Sequence, residues 1–164
     1  MTRKAHCCCG ACSIEVEGEP VLNALCHCSN CKRRTGSAFG WSAYFADEAV
    51  TARTGDFGLY EITGAKAQRR WFCAVCGTTL LWQADRWPSR TGIAGGCFTA
   101  TPLPEPAATV SNKGRCPWLG LPADYLCPNR LSEMVRIFLF CKSGLDRWHA
   151  VLCHNFDRIG ALDL

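Results

Sequence analysis

Seven cysteines in three short clusters dominate the chemistry that this chain can support. The clusters are Cys7 with Cys9; Cys26 with Cys28 and Cys31; and Cys73 with Cys76. Thiolates at such short spacings converge on a metal ion, and four of them close a tetrahedral Zn²⁺ site whereas three leave one position open. A closed site stabilises a fold, and an open site can bind an external ligand. The sequence therefore predicts two zinc ions with different roles.

The first and last clusters together supply four sulfurs. In both, Cys7-x-Cys9 and Cys73-x-x-Cys76, the second cysteine is followed by a glycine, which accepts the positive φ that lets backbone N–H groups approach the sulfurs. Side chains alternate in direction along an extended chain, so Cys7 and Cys9 share a side and Cys8 points away. We expect these four cysteines to form a structural zinc site that ties the N-terminus to a distant hairpin.

The middle cluster places three sulfurs within six residues, Cys26 to Cys31. Zn²⁺ bound by three thiolates keeps a fourth position for water or a ligand, and a thiol bound there becomes a thiolate at neutral pH. We therefore expect Cys26, Cys28 and Cys31 to be catalytic. A second structural site, closed by His27 or Cys12, is the alternative. Because His27 lies between two ligands, we expect its ring to point away from their metal.

A basic run, Lys32, Arg33 and Arg34, follows the third thiol of the middle cluster. It is either a solvated turn or a group of cations that offsets the thiolates and attracts an acidic substrate. The formal net charge is +4; seven thiolates remove seven positive units and two Zn²⁺ return four, which leaves +1. Net charge therefore gives no general argument for binding nucleic acid.

The apolar runs of the chain are short, well below the roughly 20 residues that span a bilayer. The first six residues are followed by cysteines and not by an apolar segment, so no secretory signal is visible. The 14 cysteines would suggest disulfides in a secreted protein. Without a signal and with this spacing, we predict metal binding in the reducing cytoplasm and no association with a membrane.

Short strands separated by turn residues predict a mostly-β domain with mostly antiparallel sheets. The predicted strands cover residues 13–17, 38–46, 57–62, 68–73, 78–83 and 91–98. The proline-rich stretch 102–128 is expected to break regular structure. Beyond it, apolar residues at helical spacing over 131–138 suggest a C-terminal helix, which competes with a strand over 135–140.

Residues 7 to about 100 resemble the glutathione-dependent formaldehyde-activating enzyme family, which includes the centromere-protein-V-like proteins. Three motifs carry the resemblance in family order: Cys7-x-Cys9-Gly10-Ala11, the run CHCSNCKRRTGSAFG over 26–40, and Phe72-Cys-x-x-Cys-Gly77. The resemblance implies several small antiparallel sheets organised around zinc. It also implies a structural ion on the outer four cysteines and a catalytic ion on the middle three, which the thiol of glutathione completes.

The activity implied by the resemblance is that of a carbon–sulfur lyase which joins formaldehyde to glutathione and gives S-(hydroxymethyl)glutathione. Lys32, Arg33 or Arg34 would pair with a carboxylate of glutathione. Residues 1–124 would form the zinc-binding domain and 125–164 a C-terminal extension. Two alternatives stay open: an enzyme of the same architecture that uses another small thiol or aldehyde, and a non-catalytic zinc-stabilised module that binds protein or nucleic acid.

Overall fold

The structure is a computed structural model that describes residues 1–64 and 67–122. In these ranges the chain forms ten strands and one α-helix. The strands are β1 (Thr2–His6), β2 (Ser13–Glu17), β3 (Leu22–Cys26), β4 (Gly40–Ala46), β5 (Val50–Thr54), β6 (Phe57–Ile62), β7 (Gln68–Cys73), β8 (Thr79–Ala84), β9 (Arg90–Ala94) and β10 (Ala108–Val110). The helix is α1 (Ser29–Thr35), and 3₁₀ turns cover Asp47–Ala49, Gly95–Cys97 and Asn112–Gly114.

The strands form two sheets. One has three strands in the order β1-β2-β5, and the other has seven in the order β10-β3-β4-β9-β8-β7-β6. Every pairing is antiparallel except that of β10 with β3, which is parallel. The prediction of a mostly-β, mostly antiparallel fold is confirmed.

The six predicted strands are present: those over 13–17, 57–62 and 68–73 have the predicted bounds, and the other three have shifted ends. The strand predicted from residue 38 begins at Gly40, and the one predicted to reach residue 98 ends at Ala94, where a 3₁₀ turn follows. The expectation that 102–128 lacks regular structure is wrong at Ala108–Val110, because this short segment pairs with β3 at the sheet edge. Hydrogen bonding to a neighbouring strand outweighs the local proline content.

The main core contains one face of each sheet. In β2 the alternation of polar and apolar residues turns Ile14 and Val16 inward, and both are fully buried. They belong to the same apolar cluster as Phe45 from β4, Leu80 from β8 and Ile93 from β9. Each such fully buried side chain contributes about 1.5–3 kcal/mol of hydrophobic free energy. This core holds the seven-stranded sheet rigid as a platform for its opposite face.

That opposite face carries α1. The helix has no buried residue and ends at Gly36, which adopts the left-handed conformation at φ 62°. Cys28 caps its N-terminus, where the Cys28 sulfur accepts a hydrogen bond from the backbone N–H of Cys31. Without an apolar face, α1 is positioned by its capping groups and by its close approach to the start of β4 at Gly40.

The predicted C-terminal helix and the proposed extension over 125–164 lie outside the described residues. Within residues 1–64 and 67–122, no helix is long and apolar enough to cross a membrane.

Candidate metal centres

The sulfurs of Cys7, Cys9, Cys73 and Cys76 lie within 4.8 Å of one another. The distance between sulfurs is 3.5 Å from Cys7 to Cys9 and 3.8 Å from Cys9 to Cys73. A tetrahedron of thiolates around Zn²⁺ with Zn–S bonds of about 2.3 Å has S···S edges of about 3.8 Å. The four sulfurs of this first cluster therefore fit one tetrahedral ion.

Two tight turns build the first cluster. Gly10, at φ 76°, follows Cys9 after β1, and Gly77, at φ 74°, follows Cys76 between β7 and β8. The expected positive φ at these glycines is confirmed. The backbone N–H of Cys12 donates to the sulfur of Cys7 at 3.2 Å. The cluster thus joins segments 64 residues apart in the chain and fixes the three-stranded sheet to the end of the seven-stranded one.

Thr78 sets the charge state of one thiol in the first cluster. Its hydroxyl lies 3.2 Å from the sulfur of Cys76. Hydrogen bonds from the Thr78 hydroxyl and backbone N–H lower the pKa of Cys76 to about 5. This sulfur is consequently a thiolate at neutral pH, which is the form that binds metal.

The second cluster consists of Cys26, Cys28 and Cys31, whose sulfurs also lie within 4.8 Å of one another. Cys26 ends β3, and the Cys26 and Cys28 sulfurs are 3.6 Å apart. Hydrogen bonds from the thiols of Cys26 and Cys31, together with backbone N–H groups at the start of α1, lower the pKa of Cys28 to about 2. Sharing of protons with the other two thiols raises the pKa of Cys31. The three thiols together therefore stabilise one thiolate, on Cys28.

Neither residue that could have closed the second cluster does so. The Nε2 atom of His27 lies 2.8 Å from the hydroxyl of Thr109, so the ring points away from the sulfurs, as expected. Cys12 lies with the first cluster and donates to the carbonyl oxygen of Asp56 at 3.1 Å. In the described part of the chain, no fourth His, Cys, Asp or Glu joins the three sulfurs. A metal ion held by this set would keep a position for an external ligand.

The sequence matches the model of a known protein family. The model of the glutathione-dependent formaldehyde-activating enzyme family matches residues 2–113, which include all seven clustered cysteines. The chain belongs to this family. The chain is also similar to a Rhodobacter sphaeroides protein of known crystal structure, with 26% sequence identity and a TM-score of 0.49. This match covers 59% of this chain and 88% of that chain. No curated protein matches the sequence.

In this member of the formaldehyde-activating enzyme family, the segment around β10 supports the second cluster. The backbone N–H of His27 donates to the carbonyl oxygen of Val110 at 3.0 Å. The Thr109 hydroxyl donates to Oδ1 of Asn112 at 2.8 Å. A Cβ atom at Gly114 would lie 2.5 Å from the carbonyl oxygen of His27. Nothing in the sequence marked Thr109, Asn112 or Gly114, because their role depends on the parallel pairing of β10 with β3.

The three basic residues of the motif lie on α1 in different surroundings. Lys32 donates through Nζ to the carbonyl oxygen of Gly114 at 2.9 Å, and Arg33 is exposed. Arg34 turns back over the sheet, where its guanidinium carbon lies 4.1 Å from the ring centroid of Trp82. The structure therefore spreads these cations around the second cluster, and it places only Arg34 on the sheet.

Gly40 explains the small residues that follow the basic run. It is buried at the start of β4, opposite Cys26 in the register. A Cβ atom there would lie 2.9 Å from Nη2 of Arg34 and 3.0 Å from Cβ of Cys31. The missing side chain at Gly40 therefore lets α1 pack directly against the sheet.

A cleft of about 400 Å³ lies between the segments that carry the two clusters. Arg34 and Phe39 line it from the side of α1, and Thr78 lines it from the turn of the first cluster. Cys97 also faces the cleft, and burial raises the pKa of its thiol to about 11, so this sulfur stays protonated at neutral pH. The volume falls within the range of small-molecule sites.

Proposed function

We propose that the protein is a zinc-dependent carbon–sulfur lyase that resembles S-(hydroxymethyl)glutathione synthase and condenses formaldehyde with glutathione in the cytoplasm. The observation that carries this proposal is the unequal pair of cysteine clusters. Cys7, Cys9, Cys73 and Cys76 suffice for a tetrahedral ion, whereas Cys26, Cys28 and Cys31 lack a fourth ligand among the described residues. Membership in the formaldehyde-activating family supports the choice of thiol and aldehyde.

In the proposal, the first cluster holds a structural zinc ion. Cys7 and Cys73 are buried, and both belong to the apolar cluster that the two sheets share. Structural zinc of this kind contributes directly to the free energy of folding, because the unfolded chain offers no preformed site. We therefore assign residues 1–124 to one zinc-stabilised domain.

The second cluster is the proposed reaction centre. A zinc ion bound there would lower the pKa of a substrate thiol and keep it as the reactive thiolate. The sulfur of Cys28 is already ionised at neutral pH and lies at the N-terminus of α1. The hydroxyl of Ser111 lies 4.0 Å from the sulfur of Cys26, at the edge of the same cluster.

The proposed reaction adds the thiol across the carbonyl group of formaldehyde. A carbon–sulfur bond forms, the C=O π bond breaks, and the proton of the thiol moves to the new hydroxyl group, so no oxidant or reductant is needed. The protein contributes mainly by holding thiol and aldehyde together, which favours a bimolecular addition. Lys32, Arg33 and Arg34 supply positive charge on the helix that carries Cys31, where carboxylates of glutathione would bind.

Metal analysis of two matched variants tests the proposal. We expect about two zinc ions per wild-type chain. Cys28→Ser should retain the ion of the first cluster and lose the second ion together with the formation of S-(hydroxymethyl)glutathione above the spontaneous rate. Cys8→Ser changes an exposed cysteine that belongs to neither set, and it should retain both ions and the activity. Full activity in folded Cys28→Ser, or wild-type protein with a single ion, would refute the assignment.

A further inference from the structure

One row of residues crosses the seven-stranded sheet on the face that carries α1. In the register, Tyr60 of β6 is opposite Arg70 of β7, Arg70 is opposite Trp82 of β8, Trp82 is opposite Gly92 of β9, and Gly92 is opposite Tyr44 of β4. Directly opposed residues of neighbouring strands lie on the same face of a sheet. Arg70 is therefore on the same face as Arg34 and the second cluster, although it is distant from both in sequence.

Trp82 fixes the centre of this row. A Cβ atom at Gly92 would overlap the indole nitrogen of Trp82, so the missing side chain makes room for the ring. The indole N–H donates to the hydroxyl of Tyr44 at 2.9 Å, and only 2% of Trp82 is exposed. A ring held in this way gives the stacked Arg34 guanidinium a defined orientation.

Among the described residues, neither of the two arginines beside Trp82 forms an ion pair with an acidic side chain. In residues 1–64 and 67–122, ion pairs link Arg3 to Glu19 and Lys4 to Glu15, and none includes Arg34 or Arg70. Arg70 is 9% exposed and donates from Nε to the side-chain oxygen of Gln68 at 2.6 Å. The Nη2 atom of Arg34 is buried without a hydrogen-bond partner. A buried cation without a counter-charge is costly, so this arrangement calls for an anion.

The second cluster supplies only part of the negative charge that the two arginines require. The position that a Cβ atom would take on Gly40 lies 2.9 Å from Arg34 Nη2 and 3.0 Å from Cys31 Cβ. These two atoms are therefore at most about 6 Å apart. Burial lowers the pKa of Arg70 and the Arg34 charge lowers it further, whereas the thiols of Cys31 and Cys28 act in the opposite direction. Before a thiol ligand binds, three thiolates with Zn²⁺ carry one negative charge, which offsets one guanidinium and leaves the other without an anion.

We propose that Arg34 and Arg70, the guanidinium pair, bind a carboxylate of the thiol ligand held at the second cluster. The planar fork of arginine matches a carboxylate, and the Arg34 guanidinium lies over Trp82 with its Nη2 atom free of any hydrogen-bond partner in the described part of the chain. The inference rests on the proposed function and adds a residue to it: Arg70, on a different strand from the basic motif, contributes to the recognition of the ligand's carboxylate.

The test compares glutathione with its diethyl ester, which keeps the thiol and loses both negative charges. Binding to the zinc-loaded protein is measured by calorimetry, and coordination by the thiolate-to-metal absorption of the cobalt(II)-substituted protein. We expect the wild type to prefer glutathione over the ester, and Arg70→Gln to weaken glutathione binding about tenfold or more while leaving ester binding unchanged. Arg70→Lys should recover part of the preference, because it keeps the charge without the fork.

Arg69→Gln is the matched control. Arg69 is exposed and lies on the opposite face of β7. Its substitution removes the same charge as Arg70→Gln, but the preference for glutathione should persist. Metal content and far-UV circular dichroism verify that each variant is folded. Equal weakening of both ligands in Arg70→Gln would mean that Arg70 serves only the charge of the metal centre, and this overturns the inference. Equal binding of both ligands by the wild type also overturns it, whereas binding of neither removes the proposed function as well.

Discussion

Replacing Thr109 with valine tests how the β10 segment holds the second cluster. Thr109 is 1% exposed, and its hydroxyl contacts Nε2 of His27 at 2.8 Å and donates to Oδ1 of Asn112 at 2.8 Å. Because the hydroxyl proton goes to Asn112, the contact with His27 requires the imidazole N–H to donate. Valine has the same shape and removes both bonds, so it leaves a buried N–H without an acceptor.

The cost follows from these contacts. A buried donor left without a partner costs about 1–3 kcal/mol. A change of 1 kcal/mol shifts Tm by about 4–8 °C in a domain of 60–100 residues and by about 2–4 °C in one of 150–250 residues. The proposed domain lies between these lengths, so we expect Thr109→Val to lower Tm by about 6–12 °C for a loss of about 2 kcal/mol. Thr109→Ser keeps the hydroxyl and loses one methyl group, so it should cost only about 0.8 kcal/mol.

Two assays measure the effect. Thermal unfolding followed by circular dichroism gives the stability, and release of zinc to a chromogenic chelator gives the integrity of each centre. Because His27 lies between Cys26 and Cys28, Thr109→Val should speed the release of the zinc ion of the second cluster. The release of the ion of the first cluster should be unchanged. If Thr109→Val is as stable as Thr109→Ser and releases its zinc as slowly as the wild type, the hydroxyl does not support the cluster and the argument fails.

Three further predictions concern other parts of the site. Gly40→Ala places a methyl group 2.9 Å from Nη2 of Arg34, and it should cost about 1–3 kcal/mol in denaturant unfolding; Gly120→Ala, which meets nothing within 4 Å, should cost much less. Cys76→Ser should release the first zinc ion and abolish cooperative unfolding, and a variant that keeps two ions with an unchanged Tm would refute the structural assignment. Burial lowers the pKa of His27, so the unfolded state gains a proton first and stability should fall as the pH drops below the ordinary histidine value of 6.5. His27→Gln should show a smaller loss between about pH 7 and pH 5, and equal losses in both proteins would contradict this.

The grouping of cysteines could be predicted because it depends on local spacing. Cys73 and Cys76 need only one turn to face the same point, and Gly77 signals that turn. The same holds for the three sulfurs of the second cluster, which span the end of one strand and the first turn of a helix. Strands such as Ser13–Glu17 could be predicted because a single buried face imposes strict alternation.

The helix between the clusters could not be predicted from pattern. Over Ser29–Thr35 no side chain is buried, so no apolar periodicity exists, and the residue at its N-terminus is a cysteine and not Ser, Thr, Asp or Asn. The sulfur of Cys28 accepts the capping hydrogen bond and belongs to the second cluster at the same time. The same sulfur atom therefore caps the helix and belongs to the cluster. Sequence rules for helix N-caps look for the side-chain oxygens of Ser, Thr, Asp or Asn, so they do not predict this helix.

Arg70 was missed for a different reason. In the sequence it is the second of two adjacent arginines, and nothing local separates it from Arg69. Their difference comes from the sheet: Arg70 is opposite Trp82, and Arg69 is opposite Gln83. Only the pairing of strands β7 and β8 shows that Arg70 is on the face of the second cluster.

The parallel pairing of β10 with β3 has a consequence for synthesis on the ribosome. All ligands of the first cluster have been made once Cys76 has left the exit tunnel. The second cluster has its three sulfurs much earlier, at Cys31, but its supporting strand emerges only with Ala108–Val110. The nascent chain would therefore complete the first cluster, whose last sulfur belongs to Cys76, before the second cluster gains its supporting strand, although all three sulfurs of the second cluster emerge earlier.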